Sequence, residues 1–407
     1  MLPVRQCGLY ITKTGSVTGP VFFTQINVMK NNSFLLPLLL FALLGAPTAC
    51  RKPVPGSGSV STPTPGPVSD TATEASARHF RNPLLPVGPD PWVVYQDGFY
   101  YVMHTTGGDL RIYKTKKMSL LGSSSFSSVW SPPSSGPATR DIWAPELHRV
   151  NDSRGVARWY IYYAAVVAPN TQHRMYVLEN EATDPLTGTW VLRGQVQLPD
   201  NRWAIDGTLL NLNGQLYFAW SGWENAVDND IQHIYISKMR DPYTAEGLRV
   251  RVSTPEHDWE KQGIPDVNEG PEFLVHDNKV FLVYSASHCS TDAYALGMLT
   301  ASTTADLANP AAWTKSAAPV FGPTAANGTF GVGHNGFFQT PTDRTHTGGP
   351  AGPAENWILY HANPQAGQGC GDRRSIRMQR FGWKTDGSPD FGQPKPLTEF
   401  VKRPSGE

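Results

Sequence analysis

Five times between residues 80 and 395, the chain runs through the same ordered set of strand-forming segments. The first of each set reads DPWVV (90–94), PELH (145–148), DGTLL (206–210), GPEFL (270–274) and HNGFF (334–338). A second, aromatic-rich segment follows each: FYYVMHT (99–105), RWYIYYAA (158–165), QLYFAWSG (215–222), KVFLVYSA (279–286) and NWILYHAN (356–363). A third follows again, from RIYKT (111–115) to IRMQRF (376–381), and a fainter fourth is marked by Trp130, Trp190, Trp313 and Phe391. The landmarks Asp90, Pro145, Asp206, Gly270 and His334 lie 55, 61, 64 and 64 residues apart. Four strands recurring five times at a near-constant step predict an all-β fold: a five-bladed β-propeller with four antiparallel strands per blade. A β-sandwich uses similar strands but does not require five matched sets in fixed order.

Composition agrees with strands and turns rather than helices, with 38 Gly, 35 Pro and 11% aromatic residues. Lys+Arg (34) balance Asp+Glu (34), so there is no basic footprint, and no nucleic-acid partner is expected. Residues 1–50 read as an export segment. In MKNNSFLLPLLLFALLGAPTAC (29–50) a Lys precedes an apolar stretch too short for a comfortable membrane span, and small residues follow. Residues 51–79 are a Pro/Gly/Ser-rich linker, and 80–407 form the propeller. Cys50, directly before that tether, resembles the lipidated cysteine of a bacterial lipoprotein. The protein is therefore expected to be exported: secreted, periplasmic, or lipid-anchored at the cell surface through Cys50. It is expected to act as a monomer. Cys289 and Cys370 lie in the propeller; export permits a bridge, and the sequence leaves their pairing open.

In a blade of four antiparallel strands, the first lines the central channel. Asp90, Asp206 and Glu269 each stand at or just before the start of an inner strand, so they converge at one mouth of the channel, joined by His334 from blade five. One Asp before a turn is ordinary backbone capping. Three acids in one channel mouth raise each other's pKa values and indicate chemistry. The second-to-third loops lie on the same face and carry Trp223, Cys289, Cys370, Arg373 and Arg374, which sets both cysteines on adjacent rims. The first-to-second hairpins, with DG (97–98), NG (213–214) and DN (277–278), lie on the other face. The inserted loop 340–356 and the rim loop 221–230 are expected to wall the mouth into a pocket. Glu272, three residues past Glu269, is expected to be carried away from the acids by the pleat and to serve structure.

These passages, with RDIWAPELH, WAIDGTLL, NEGPEFLV and GVGHNGFF in order, resemble glycoside hydrolase family 43 over about residues 80–395. HDWEKQGIPDVNEGPEF and AAWTKSAAPVF look most like its α-L-arabinofuranosidases, particularly those acting exo on 1,5-linked arabinan. The resemblance implies inverting hydrolysis of arabinan or arabinoxylan oligosaccharides from plant cell walls. A β-xylosidase or an endo-1,5-arabinanase on the same scaffold is the alternative within the family, and a non-catalytic carbohydrate-binding propeller the alternative outside it. By motif, Asp90 matches the general base, Glu269 the general acid, and Asp206 the third acid that holds Glu269 and keeps it protonated. Inversion requires the base and acid to stand roughly 6.5–9.5 Å apart, which suits blades one and four. Trp92, Trp143, Glu146, Trp223, and Arg374 or Arg377 are the implied sugar contacts. A calcium or sodium ion beside His334 is implied in the channel; no organic cofactor is expected.

Overall fold

The computed structural model describes residues 78–166, 170–225, 230–344, 347–348 and 351–407. All of them fall in one compact unit, 67–407. The export segment, Cys50 and nearly all of the linker lie outside the described residues.

A short strand β1 (His79–Phe80) precedes the blades. Blade one is β2 (Trp92–Gln96), β3 (Phe99–Met103), β4 (Leu110–Thr115) and β5 (Phe126–Trp130). Blade two is β6 (Arg140–Asn151), β7 (Ala157–Val166), β8 (Arg174–Asn180) and β9 (Val191–Gln195). Blade three is β10 (Ala204–Leu212), β11 (Gln215–Trp223), β12 (Gln232–Asp241) and β13 (Thr244–Ser253). Blade four is β14 (Asn268–His276), β15 (Lys279–Ala286), β16 (Ala295–Ser302) and β17 (Thr314–Lys315). Blade five is β18 (Phe330–Gln339), β19 (Asn356–Asn363), β20 (Ser375–Trp383) and β21 (Pro389–Asp390), and β22 (Val401–Lys402) ends the chain. Each blade is a four-stranded antiparallel meander, as the repeats predict.

The second strands explain why the repeat is visible. Each is sandwiched between neighbouring blades, so both faces are apolar and the segment reads as a continuous hydrophobic run. On β7, Trp159, Ile161 and Tyr163 pack toward blade one, while the alternate Tyr160, Tyr162 and Ala164 pack toward blade three. The other second strands divide the same way. Among the described residues this gives five hydrophobic clusters, one per blade junction. The hairpin turns also follow the sequence: Asp97–Gly98 and Asn213–Gly214 both take positive φ.

Ring closure was not legible. The segment 82–88 runs along β20: Leu84 N donates to Ile376 O (2.8 Å), Ile376 N to Leu85 O (3.0 Å) and Gly88 N to Arg374 O (2.9 Å). The Asn82 side chain clasps both backbone groups of Met378, and β1 pairs with β22. The outer edge of blade five is thus shared between β21 and a segment from the other end of the domain. Phe391 therefore does not sit in a long fourth strand; it follows β21 and packs into the junction of blades four and five.

The inserted loop 340–356 connects β18 to β19, a first-to-second hairpin, so it lies on the face opposite the channel mouth. Pro341, Thr342 and Asp343 meet Tyr95, Asp97 and Phe99 there. Its described residues line no part of the cavity at the mouth, which corrects that expectation: the length of the loop suggested a wall, but strand order fixes its side.

Close packing at the inner strands gives a stability test. A Cβ on Gly207 would stand 2.2 Å from Cζ of the fully buried Phe218 and 2.9 Å from Cε of Met175. Gly207→Ala is expected to cost about 1–3 kcal/mol of stability, read as a lowered denaturant midpoint with an unchanged slope.

Candidate active site

All five inner strands carry the same irregularity at the channel mouth. Trp143 pairs with Ala164 and Glu146 with Tyr162, so three steps on β6 face two on β7. The same three-against-two count separates Ile205 from Thr208, Glu269 from Glu272 and Gly333 from Gly336. In blade one it lies between Pro89, whose carbonyl accepts from Thr105 N, and Trp92, paired with Met103. Each is a β-bulge, and the residue after its first member is left-handed: Asp90 (φ 56°), Ala144 (42°), Asp206 (52°), Gly270 (52°) and His334 (45°). A non-glycine residue there costs about 1–2 kcal/mol, an energy the surrounding packing must absorb.

A bulge also leaves a backbone amide outside the ladder. In four blades the left-handed residue's N–H is taken by a side chain of the preceding blade. Asp90 N donates to His361 Nδ1 (3.1 Å), Ala144 N to Thr105 Oγ1 (2.7 Å), Gly270 N to Asp206 Oδ2 (3.0 Å) and His334 N to Ser285 Oγ (2.8 Å). The blades are thus stitched to each other around the mouth. Asp90, Asp206 and His334 hold the left-handed position itself. Glu269 does not: it stands one residue earlier, and glycine takes the turn in blade four. The three acids are therefore not at one equivalent place in the repeat, although they meet at one place in space.

They meet in a cavity of about 670 Å³ lined by residues of every blade. Asp90, Asp206, Glu269 and His334 line it, with Trp143, Trp203 and Trp223 on the side of blades two and three, and His288, the Cys289–Cys370 disulfide and Arg374 on the side of blades four and five. Of the sugar contacts implied by sequence, Trp143, Trp223 and Arg374 reach this cavity. Trp143 stacks on His173 (4.0 Å between centroids) and Trp223 on Trp203 (4.3 Å).

Trp92, Glu146 and Arg377 do not reach it. Trp92 lies two residues past its left-handed position and turns toward blade two, where Nε1 donates to Leu147 O (2.9 Å) and the ring rests on His148. Glu146 holds the same place in blade two. It is buried, bonded to His148 Nε2 (2.8 Å) and to Glu272, which also meets Thr208. Glu272 is thus structural, as its place in the pleat predicts. Burial and the neighbouring Glu146 carboxylate push Glu272 well above the usual range, so Glu272 keeps its proton. Arg377 is fully buried within β20, donating to Ser375 Oγ and Ala362 O. Arg374, just before the strand, is the arginine that faces the site, while Arg373 is exposed.

The acids sit in opposite electrostatic surroundings. Burial alone would raise Asp90, but Arg374 Nη1 at 2.8 Å outweighs it, helped by His334 Nδ1 at 3.3 Å and by the Thr105 hydroxyl. Asp90 is held well below the usual carboxylate range and stays an anion. Glu269 is pushed up to about 7, first by burial and then by the Asp90 charge, against a hydrogen bond from Tyr294 Oη (2.9 Å) and the more distant Arg374. Asp206 is also raised well above its usual value, by burial and by Glu269. His361 accepts Asp90 N–H and is buried, so it is neutral. His361, Thr105, Tyr294 and Trp203 escaped the sequence reading. The first two stand opposite the bulge at the end of the second strand, a repeat position that Ser285 also fills; nothing marks Tyr294.

A calcium ion beside His334 would take most of its roughly six to eight ligands from water. Among the described residues the three-donor group is His288, Cys289 and Cys370, whose sulfurs are already bonded to each other. His334 offers one imidazole, and Arg374 already brings positive charge to Asp90.

Residues 80–389 match the model of glycosyl hydrolases family 43. The extracellular exo-α-(1→5)-L-arabinofuranosidase of Streptomyces avermitilis is 37% identical over 337 residues, covering 81% of this chain; the chain spans only 66% of that relative's length. Its namesake from Streptomyces chartreusis is 36% identical over 70% of this chain and 82% of its own. The crystal structure of an α-L-arabinofuranosidase from Lactobacillus brevis superposes with a TM-score of 0.70 at 32% identity, covering 79% of this chain and 98% of that one.

Tyr294 offers a test of the electrostatics. Its hydroxyl favours the Glu269 carboxylate, so Tyr294→Phe is expected to raise the pKa of Glu269. The alkaline limb of the kcat/KM profile should move to higher pH, while the acidic limb stays in place.

Proposed function

The chain belongs to glycosyl hydrolase family 43, and from that premise we propose that it is an inverting, exo-acting α-L-arabinofuranosidase that removes terminal arabinofuranose from arabinan or arabinoxylan oligosaccharides. The observation that carries this reading is the split between two carboxyls in one cavity: Asp90 is held anionic by Arg374, while Glu269 is kept protonated by burial. An inverting glycosidase needs that division. Asp90 takes a proton from water as the water attacks the anomeric carbon, and Glu269 protonates the departing oxygen on the opposite side. Asp206 accepts Gly270 N–H, which fixes the backbone beside Glu269, and burial and the Glu269 charge keep Asp206 itself above its usual value. The aromatic wall of Trp143, Trp203 and Trp223 supplies apolar surface for a sugar face.

The exo mode is supported by the names of the Streptomyces relatives. Described residues of all five blades line the cavity, which leaves room beside the acids for a sugar residue. The names of the Streptomyces relatives support the arabinofuranosyl preference and the 1,5 linkage, and the word extracellular in those names supports export. The reading extends to an oligosaccharide or polysaccharide substrate met outside the cytoplasm, with attachment through Cys50 as one way of holding the enzyme there.

Glu269→Gln and Asp90→Asn are each expected to lower kcat on an aryl α-L-arabinofuranoside by about 10²–10⁴-fold while the protein stays folded. Proton NMR of the first product formed is expected to show the β-anomer. Arabino-oligosaccharides should release single arabinose without intermediate lengths. Longer fragments would reassign the enzyme as endo-acting, cleavage of the aryl xyloside instead would reassign the sugar, and wild-type turnover in Glu269→Gln would remove the acid.

A further inference from the structure

The rim loop 364–374 of blade five, between β19 and β20, carries Arg374 at its end and Gly367, Gly369 and Gly371 along its length. Gly367 and Gly369 adopt positive φ. Three glycines in so short a stretch give the loop many accessible conformations. It is nevertheless tied to blade four at two points. Cys370 is bonded to Cys289, and Gly367 N donates to the Asp292 carboxylate at 2.8 and 3.0 Å. The bridge lines the catalytic cavity itself. Four residues past Cys370, Arg374 Nη1 meets Asp90 Oδ1 at 2.8 Å, and its own Nε folds back onto Gly371 O.

We propose that the Cys289–Cys370 bridge is a positioning device for the general base, holding the glycine-rich rim so that the Arg374 guanidinium stays on Asp90. The bridge touches no reacting atom. It acts through Arg374, and it rests on the reading of Asp90 as the base. A general stabilising role would raise the unfolding temperature and leave the chemistry alone. A positioning role makes the charge state of Asp90 depend on the bridge. The groups that face Asp90 are Arg374 and His361 from blade five, His334 from its inner strand, His104 and Thr105 from blade one, and Asp206, Glu269 and Tyr294 from blades three and four. Of these, Arg374 makes the largest lowering contribution to Asp90, and it alone sits on the glycine-rich rim loop. Its drift would let burial raise Asp90 toward ordinary values.

The test is the pH profile of kcat/KM for the Cys289→Ser/Cys370→Ser double variant, read on whichever aryl glycoside the intact protein cleaves. The expected result is a fall of about tenfold in kcat/KM about one pH unit below the variant's acidic limb, where the intact protein keeps its activity. The acidic limb should move up by about one pH unit or more, and the alkaline limb near 7, on which Arg374 acts from further away, should move up by less. If the variant fails to fold, folded wild-type protein treated with a water-soluble phosphine serves instead. Each bridge then yields two thiols as the phosphine becomes its oxide, and thiol titration confirms the loss. Acidic limbs that superpose in folded protein with and without the bridge would overturn the proposal, whatever happens to the unfolding temperature. An intact protein that cleaves neither aryl arabinofuranoside nor aryl xyloside would overturn the catalytic reading beneath it.

Discussion

One extra residue on each inner strand, turned left-handed at the channel mouth, organises the site. A regular antiparallel strand would alternate its side chains between the two junctions beside it and send none to the axis. The bulge breaks that alternation and re-aims the chain, so Asp90, Asp206 and His334 point into one space. Its cost is an amide that the ladder cannot use. Meeting that amide with His361, Thr105, Asp206 and Ser285 couples four of the five bulges to the blade before them. Asp206 therefore serves two needs with one carboxylate. It completes the backbone bonding of blade four, and it lies close enough to Glu269 for the Glu269 charge to raise it.

Different neighbours then give like side chains unlike chemistry. Burial is common to Asp90, Asp206 and Glu269, and by itself it would protonate all three. Arg374 reverses it at Asp90 alone. Glu269 receives a tyrosine hydroxyl and the more distant pull of Arg374, which together do not offset burial and the nearby anion. A layer below, Glu272 and Glu146 pair with each other and face no substrate. Position in the pleat separates the two glutamates of the NEGPEF motif: Glu269 precedes the bulge and lines the mouth, whereas Glu272 follows it and lies beneath.

The fold was legible because second strands buried on both faces write long apolar runs, and five such runs cannot be hidden. The convergence of the acids was legible for the same reason, since strand order decides which loops share a face. That rule also assigns 340–356 to the far face; its length suggested a wall where topology allows none. The closure by residues 82–88 was not legible, because a segment that borrows an edge from β20 needs no pattern of its own. Arg374 and Arg377 look alike in RRSIR; only the start of β20 shows that one ends a loop and the other is sealed in a strand. The one-residue offset of Glu269 was hidden because a bulge changes register without changing the motif around it.

The central claim is that one cavity keeps Asp90 ionised and Glu269 protonated at the same pH. Infrared spectroscopy of the free enzyme tests it without substrate. The account expects a protonated-carboxyl band that titrates near pH 7, is lost in Glu269→Gln and survives in Asp90→Asn. A Glu269 band already gone at pH 5.5, about one unit above an ordinary glutamate pKa, would contradict it.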